Sequence, residues 1–230
     1  MSFLQNNPIV PKTAFINAQQ SGNYQMLAFT SRQLFKSQLI LGLMVWRHGE
    51  NPRPYLEKAV DRALTSIAAM TALNAQTVPE RDFLVENLKT IAFLVDKPMA
   101  VEADYQLIEA PDRRLDCLLA SEINTDKKSN SYTLIDAEIS KLRKKTTAQL
   151  AAETYQTYFE LLHESNAKNI DKKVKEVEKL YLRQASDSFY SGGEKTEGGS
   201  LDNGSVVDYR LAAILKKINY HGSSIHRWGW

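Results

Sequence analysis

The chain has 230 residues and a mass of 26.0 kDa, enough for one domain or two small ones. Hydrophobic residues make up 43% and charged residues 24%, and 29 Lys+Arg against 27 Asp+Glu leave a net charge of +2. These values exclude a disordered tail, a collagen-like chain and a disulfide scaffold, and the charge sum is too small to indicate nucleic acid or a membrane by itself.

Residues 1–20 are amide-rich, carry Pro8 and Pro11, and read as an extended arm or a short first helix. Residues 21–190 read as a helical core. Tyr24 to Arg47 is predicted as one helix, with Leu27, Leu34 and Leu41 recurring every seven residues beside Phe35 and Val45. Its last two turns are apolar nearly all round, which predicts a central position, and Gly49 suits the residue just past its end. Pro54 fits the first turn of the next helix, marked by Leu56, Val60, Leu64 and Ile67. Thr77 and Glu80 form a capping-box pattern ahead of Leu84, Leu88, Ile91 and Val95. Residues 99–123 read as one or two shorter helices broken at Ala110-Pro111, followed by a polar loop from Asn124 to Asn130.

Ile135, Ile139 and Leu142 mark a further helix, and Ala151, Tyr155, Tyr158 and Leu162 another that could continue it. Ile170, Val174, Val177, Tyr181 and Ala185 mark a long helix. Residues 191–205 hold five of the ten glycines and read as a flexible loop. Residues 206–230 read as a final helix on Val207, Leu211, Ile214 and Ile218, then a tail with Trp228 and Trp230, packed on the core. No segment alternates as a strand does. The expected fold is therefore all-α: an antiparallel multi-helix bundle of about seven to nine helices. A solenoid stays open, although no repeat near 34 residues is visible. The longest apolar run, Leu39 to Trp46, is far short of the ~20 residues a bilayer needs, and no signal peptide is recognisable. A cytoplasmic location and no membrane partner are expected.

Chemistry-bearing patterns are sparse. The lone Cys117 sits in an apolar context and reads as a small buried hydrophobe. His48, His163, His221 and His226 lack metal-site spacing, and the Gly193 to Gly198 loop departs from the phosphate-loop pattern. No metal, no cofactor and no catalytic residue are expected. Charge distribution says more. Residues 1–49 contain Lys12, Arg32, Lys36 and Arg47 and no acid, whereas residues 50–139 contain 10 basic and 16 acidic side chains. Glu102, Asp104, Glu109, Asp112 and Asp116 form the expected acidic partner-binding face, able to steer a basic protein into contact. Trp228 and Trp230 either pack back on the bundle or anchor an interface. Lys141 to Lys145 and Lys168, Lys172, Lys173, Lys175 and Lys179 are basic, but the second group is interleaved with Asp171, Glu176 and Glu178. That spacing reads as a salt-bridged, solvated helix face, so no direct nucleic-acid contact is expected.

The stretch from Leu39 to Val60 joins an apolar helix (Leu39-Ile40-Leu41-Gly42-Leu43-Met44-Val45-Trp46) to an amphipathic one through Gly49-Glu50-Asn51-Pro52. It resembles the N-terminal helical hairpin of all-α immunity proteins from bacterial polymorphic-toxin and type VI secretion loci. The resemblance covers about 25 residues and brings no functional residues with it. It implies a cytoplasmic, non-enzymatic protein that neutralises a cognate toxin, often a nuclease, by direct contact. The alternatives are a helical enzyme whose active-site residues are dispersed in sequence, which a buried pocket where His163 or Tyr155 and Tyr158 converge with carboxylates would support, and a nucleic-acid-associated helical scaffold using Lys141 to Lys179.

Overall fold

The computed structural model describes residues 9–73, 78–97, 99, 108–125, 132–190 and 207–227. Among these, nine α-helices and one 3-10 turn form an all-α multi-helix bundle with no strand. The helices are α1 (Ile9–Ser21), α2 (Tyr24–Arg47), α3 (Arg53–Ala72), α4 (Val78–Leu94), α5 (Pro111–Asn124), α6 (Tyr132–Arg143), α7 (Gln149–Leu162), α8 (Ala167–Tyr190) and α9 (Tyr209–Lys217). Each helix from α1 to α8 packs on its neighbour in the chain. The last helix, α9, breaks that order and lies against α4, α5 and α7. Nearest-neighbour contact alone defines a solenoid, so α9 closes the array into a bundle. One continuous apolar core runs from Phe35 in α2 to Leu215 in α9.

Local chemistry sets the bounds of α2. The Asn23 side chain accepts a hydrogen bond from the Met26 N–H at 3.0 Å, capping the start. Gly49, at φ +76°, takes the left-handed turn that ends the helix, and its N–H donates to the Trp46 carbonyl at 2.8 Å. The buried face is Phe35, Leu39, Leu43 and Trp46, not the seven-residue leucine row. Leu27 and Leu34 lie half-buried at its edge. A straight helix drifts about 20° per heptad, and Leu41 at the end of that row is exposed. The last two turns are therefore not central: Ile40, Leu41 and Met44 face outward.

α2 and α3 run antiparallel, with the Ser66 hydroxyl donating to the Ala28 carbonyl at one end and Gly42 meeting Leu56 at the other. A Cβ on Gly42 would stand 2.8 Å from Leu56 Cδ2, so a hydrogen there lets the two helices approach closely. Pro111 opens α5, in agreement with the expected break. The expected α6–α7 continuity fails. Lys145 is extended (φ −99°, ψ 115°) and the Thr146–Ala148 turn separates the two helices. Lys216 of α9 donates to the carbonyls of Phe93 and Leu94, both at 2.9 Å, and to Asp96 at 2.5 Å. A cation at the C-terminal end of α4 satisfies carbonyls that have no partner within the helix. Cys117 is half-buried rather than buried. No helix among the described residues is long and apolar enough to cross a membrane.

Candidate functional site

Among the described residues, α2 carries more exposed large apolar side chains than any other helix. Met26, Phe29, Ile40, Leu41 and Met44 are between 43% and 53% exposed. At 100° per residue they fall within about 120° of arc and span about 27 Å. Lys36 and Arg47 project from the same arc and supply positive charge at its margin. Such a face is unusual for a helix whose opposite side is fully buried. Gln33 and the exposed Ser37 share the arc, so the apolar side chains form two groups, Met26 with Phe29 and Ile40 with Leu41 and Met44, about 16 Å apart along the axis; exposed apolar clusters rimmed by polar groups mark a contact surface.

A second feature is a buried polar network that fastens the C-terminal segment. Arg210 of α9 makes a bidentate ion pair with Asp116 of α5, Nε to Oδ1 at 2.6 Å and Nη2 to Oδ2 at 2.8 Å. The Tyr155 hydroxyl of α7 donates to the same carboxylate at 2.8 Å. Asp208 caps α9, with Oδ1 accepting from the N–H groups of Arg210 and Leu211 and Oδ2 from the Tyr158 hydroxyl. The Asp208 N–H donates to Nδ1 of His226 at 2.8 Å. His226 is buried edge-on to Tyr181, so its ring carries its proton on Nε2. Burial pushes His226 down to about 4 and holds it neutral at ordinary pH. Burial, reinforced by Asp116, drives the Tyr155 hydroxyl well above its ordinary pKa. Burial and Asp208 do the same to Tyr158. Both phenols therefore stay protonated and act as hydrogen-bond donors rather than nucleophiles.

His163 at the end of α7 meets the buried carboxylate of Glu122 at 2.7 Å, with the Tyr132 ring 5.3 Å from its own. So His163, Tyr155 and Tyr158 each converge on a carboxylate, but on three different ones. Two of the three contacts are tyrosines closed into the core.

α8 carries a row of cations. Lys168, Lys172, Lys175, Lys179 and Arg183 are spaced 4, 3, 4 and 4, which puts them on one exposed face. The intrahelical ion pairs expected with Asp171, Glu176 and Glu178 are not formed among the described residues. Asp171 accepts instead from the Tyr220 hydroxyl at 2.9 Å, and Glu178 from the Ser224 hydroxyl at 2.7 Å. Lys173, on another face, pairs with Glu160 of α7. The carboxylates were engaged by the C-terminal segment, a partner invisible to helix periodicity. A shallow open groove at this face is lined by Lys175, Glu178, Lys179, Leu182 and Arg183.

The expected acidic face is only partly in view. Glu109 and Asp112 are exposed at the start of α5. Asp116 faces inward, and its charge is matched by Arg210 within the chain. Glu102, Asp104, Trp228 and Trp230 lie outside the described residues, as do Thr77 of the capping box and the loop 191–205. Sequence reasoning did not find the α2 face, Arg210 or His226. The first had a signal in Met26, Phe29, Ile40 and Met44, which share a helical face opposite Phe35 and Leu39. No family model, curated protein or solved structure matches this chain.

Proposed function

We propose that this chain is a non-catalytic protein-binding module, and that it acts as an immunity protein that neutralises a cognate bacterial toxin by contact. The observation that carries this is the exposed apolar row Met26, Phe29, Ile40, Leu41 and Met44 on α2. Its C-terminal half coincides with the segment that resembles the immunity-protein hairpin. Large apolar and aromatic side chains at the centre of an interface supply most of its binding energy, and charged rims add specificity and rate. Residues 1–49 contain four basic side chains and no acid. The toxin surface that fits is therefore an apolar cleft bordered by carboxylates. Glu109 and Asp112 add a separate acidic patch able to steer a basic region of the same partner.

The test is to look for a toxin gene beside this one and to co-express the two. Rescue of growth and a co-purifying complex are expected. Phe29→Ala and Met44→Ala together should weaken binding roughly 30-fold or more, as loss of a hot-spot pair does. A pair that fails to associate at micromolar concentration overturns the proposal. So does a complex whose affinity ignores both substitutions. Concentration-dependent dimers abolished by Phe29→Glu would instead assign the face to a second copy of the chain.

A further inference from the structure

We infer that the outer face of α8 is a binding surface for the phosphate backbone of nucleic acid, independent of the α2 face and of any toxin. The row Lys168, Lys172, Lys175, Lys179 is exposed, and none of the four ammonium groups has a hydrogen-bond or ion-pair partner among the described residues. Arg183 continues the row. Successive members stand about 4.5–6 Å apart along the axis, so Lys168 to Arg183 covers about 22 Å. A line of single charges of that length matches a phosphodiester strand.

Two of the three neighbouring acids are hydrogen-bonded to hydroxyls of the C-terminal segment rather than paired with the row, although Glu178 still borders it. Asp171 is bonded to Tyr220, and Glu178 to Ser224. Both sit toward the C-terminal segment that runs alongside α8, leaving Glu176 as the acid on the opposite flank. Lys173 is already matched by Glu160. The expectation of no nucleic-acid contact rested in part on intrahelical ion pairs that are not formed among the described residues.

The composition of the face selects among polyanions. An interfacial membrane helix needs an apolar side to sink among the acyl chains. Among the described residues of α8, Leu182 is the one exposed large apolar side chain beside the row. A protein interface needs a central apolar or aromatic anchor, and the row supplies none. Phosphate-backbone binding requires only aligned cations and carries no sequence preference. The shallow groove lined by Lys175, Glu178, Lys179, Leu182 and Arg183 carries three cations against one carboxylate, which leaves it net positive for a strand to lie in.

The experiment is fluorescence anisotropy of a labelled DNA duplex, about two helical turns long, titrated with the full chain at several salt concentrations. Four phosphate contacts predict a slope of log K against log[salt] of about −3.6, or roughly 150-fold weaker binding at 200 mM than at 50 mM salt. Each of Lys168→Gln, Lys172→Gln, Lys175→Gln and Lys179→Gln should lower that slope by about 0.9. The fourfold variant should lose binding with an unchanged thermal melt, because these side chains are solvated. Three results overturn the inference. The first is no anisotropy change at 50 mM salt with chain up to about 100 μM, the weak end of non-specific affinity. The second is wild-type binding by the fourfold variant. The third is competition by phosphatidylserine vesicles or polyglutamate as strong as by unlabelled duplex.

Discussion

The α2–α3 hairpin and the C-terminal segment are both well buried, yet different forces hold them. α2 and α3 meet through Phe35, Leu39, Leu43, Trp46, Leu56 and Val60, at a separation set by the hydrogen on Gly42. The Ser66 hydroxyl also donates across to the Ala28 carbonyl. The segment 207–227 also buries Leu211, Ile214 and Leu215, but it is pinned by directional contacts: Arg210 to Asp116, Asp208 to Tyr158, and His226 to the Asp208 backbone. Apolar burial is indifferent to pH and yields gradually to small changes in shape. A buried polar network is neither: it fixes one arrangement and fails sharply when a member is removed.

The largest effect should come from Arg210→Met. Removing one member of a buried ion pair leaves the other uncompensated and typically costs about 3–5 kcal/mol. Urea unfolding should show that loss, and limited proteolysis should cut first within 207–227. A loss below about 1 kcal/mol would mean that Asp116 is far better hydrated than its burial indicates.

Next is a pH effect confined to the same segment. His226 has an unperturbed value of 6.5 and a folded value of about 4. The unfolded chain therefore binds a proton that the folded chain refuses in this interval. Stability is full above pH 6.5, declines as the pH falls, and this contribution is gone below about 4, a total of about 3 kcal/mol. Protonation would turn Nδ1 into a donor facing the Asp208 N–H. Imidazole NMR should place the His226 titration near 4, and His226→Phe should flatten the stability profile between pH 6.5 and 4. A titration near 6.5 would show the ring to be solvated.

The hairpin should respond more mildly. Gly42→Val forces branched carbons toward Leu56 and should cost about 1–3 kcal/mol, as overpacking does, with the same loss at pH 5 and pH 8. A strongly pH-dependent loss would mean that packing at Gly42 is energetically coupled to the titration of His226.

Local features of the fold were legible because their causes lie within a few residues. Asn23, Gly49 and Pro111 set helix ends at the expected positions. The buried side of α2 was misjudged because leucines seven apart attract notice, whereas the true face mixes Phe35 and Trp46 with Thr30, Ser31 and Gly42. Small residues under a packed neighbour carry no hydropathy signal. The polar network was out of reach for another reason. Asp116 and Arg210 stand 94 residues apart, and no periodicity links such a pair. On α8 the cation row itself was visible. What could not be read was that Tyr220 and Ser224 would take up the carboxylates next to it.

The position of α9 bears on how the protein is made. It rests on α4, α5 and α7, so those helices wait for a stretch translated nearly a hundred residues later than α5 before their shared interior is sealed. A ribosome moving along the message releases a half-covered array first, and the keystone arrives only after α8 has been made. Guarding that interim surface against aggregation falls to the pace of translation and to chaperones, a cost of letting a late helix close an early core.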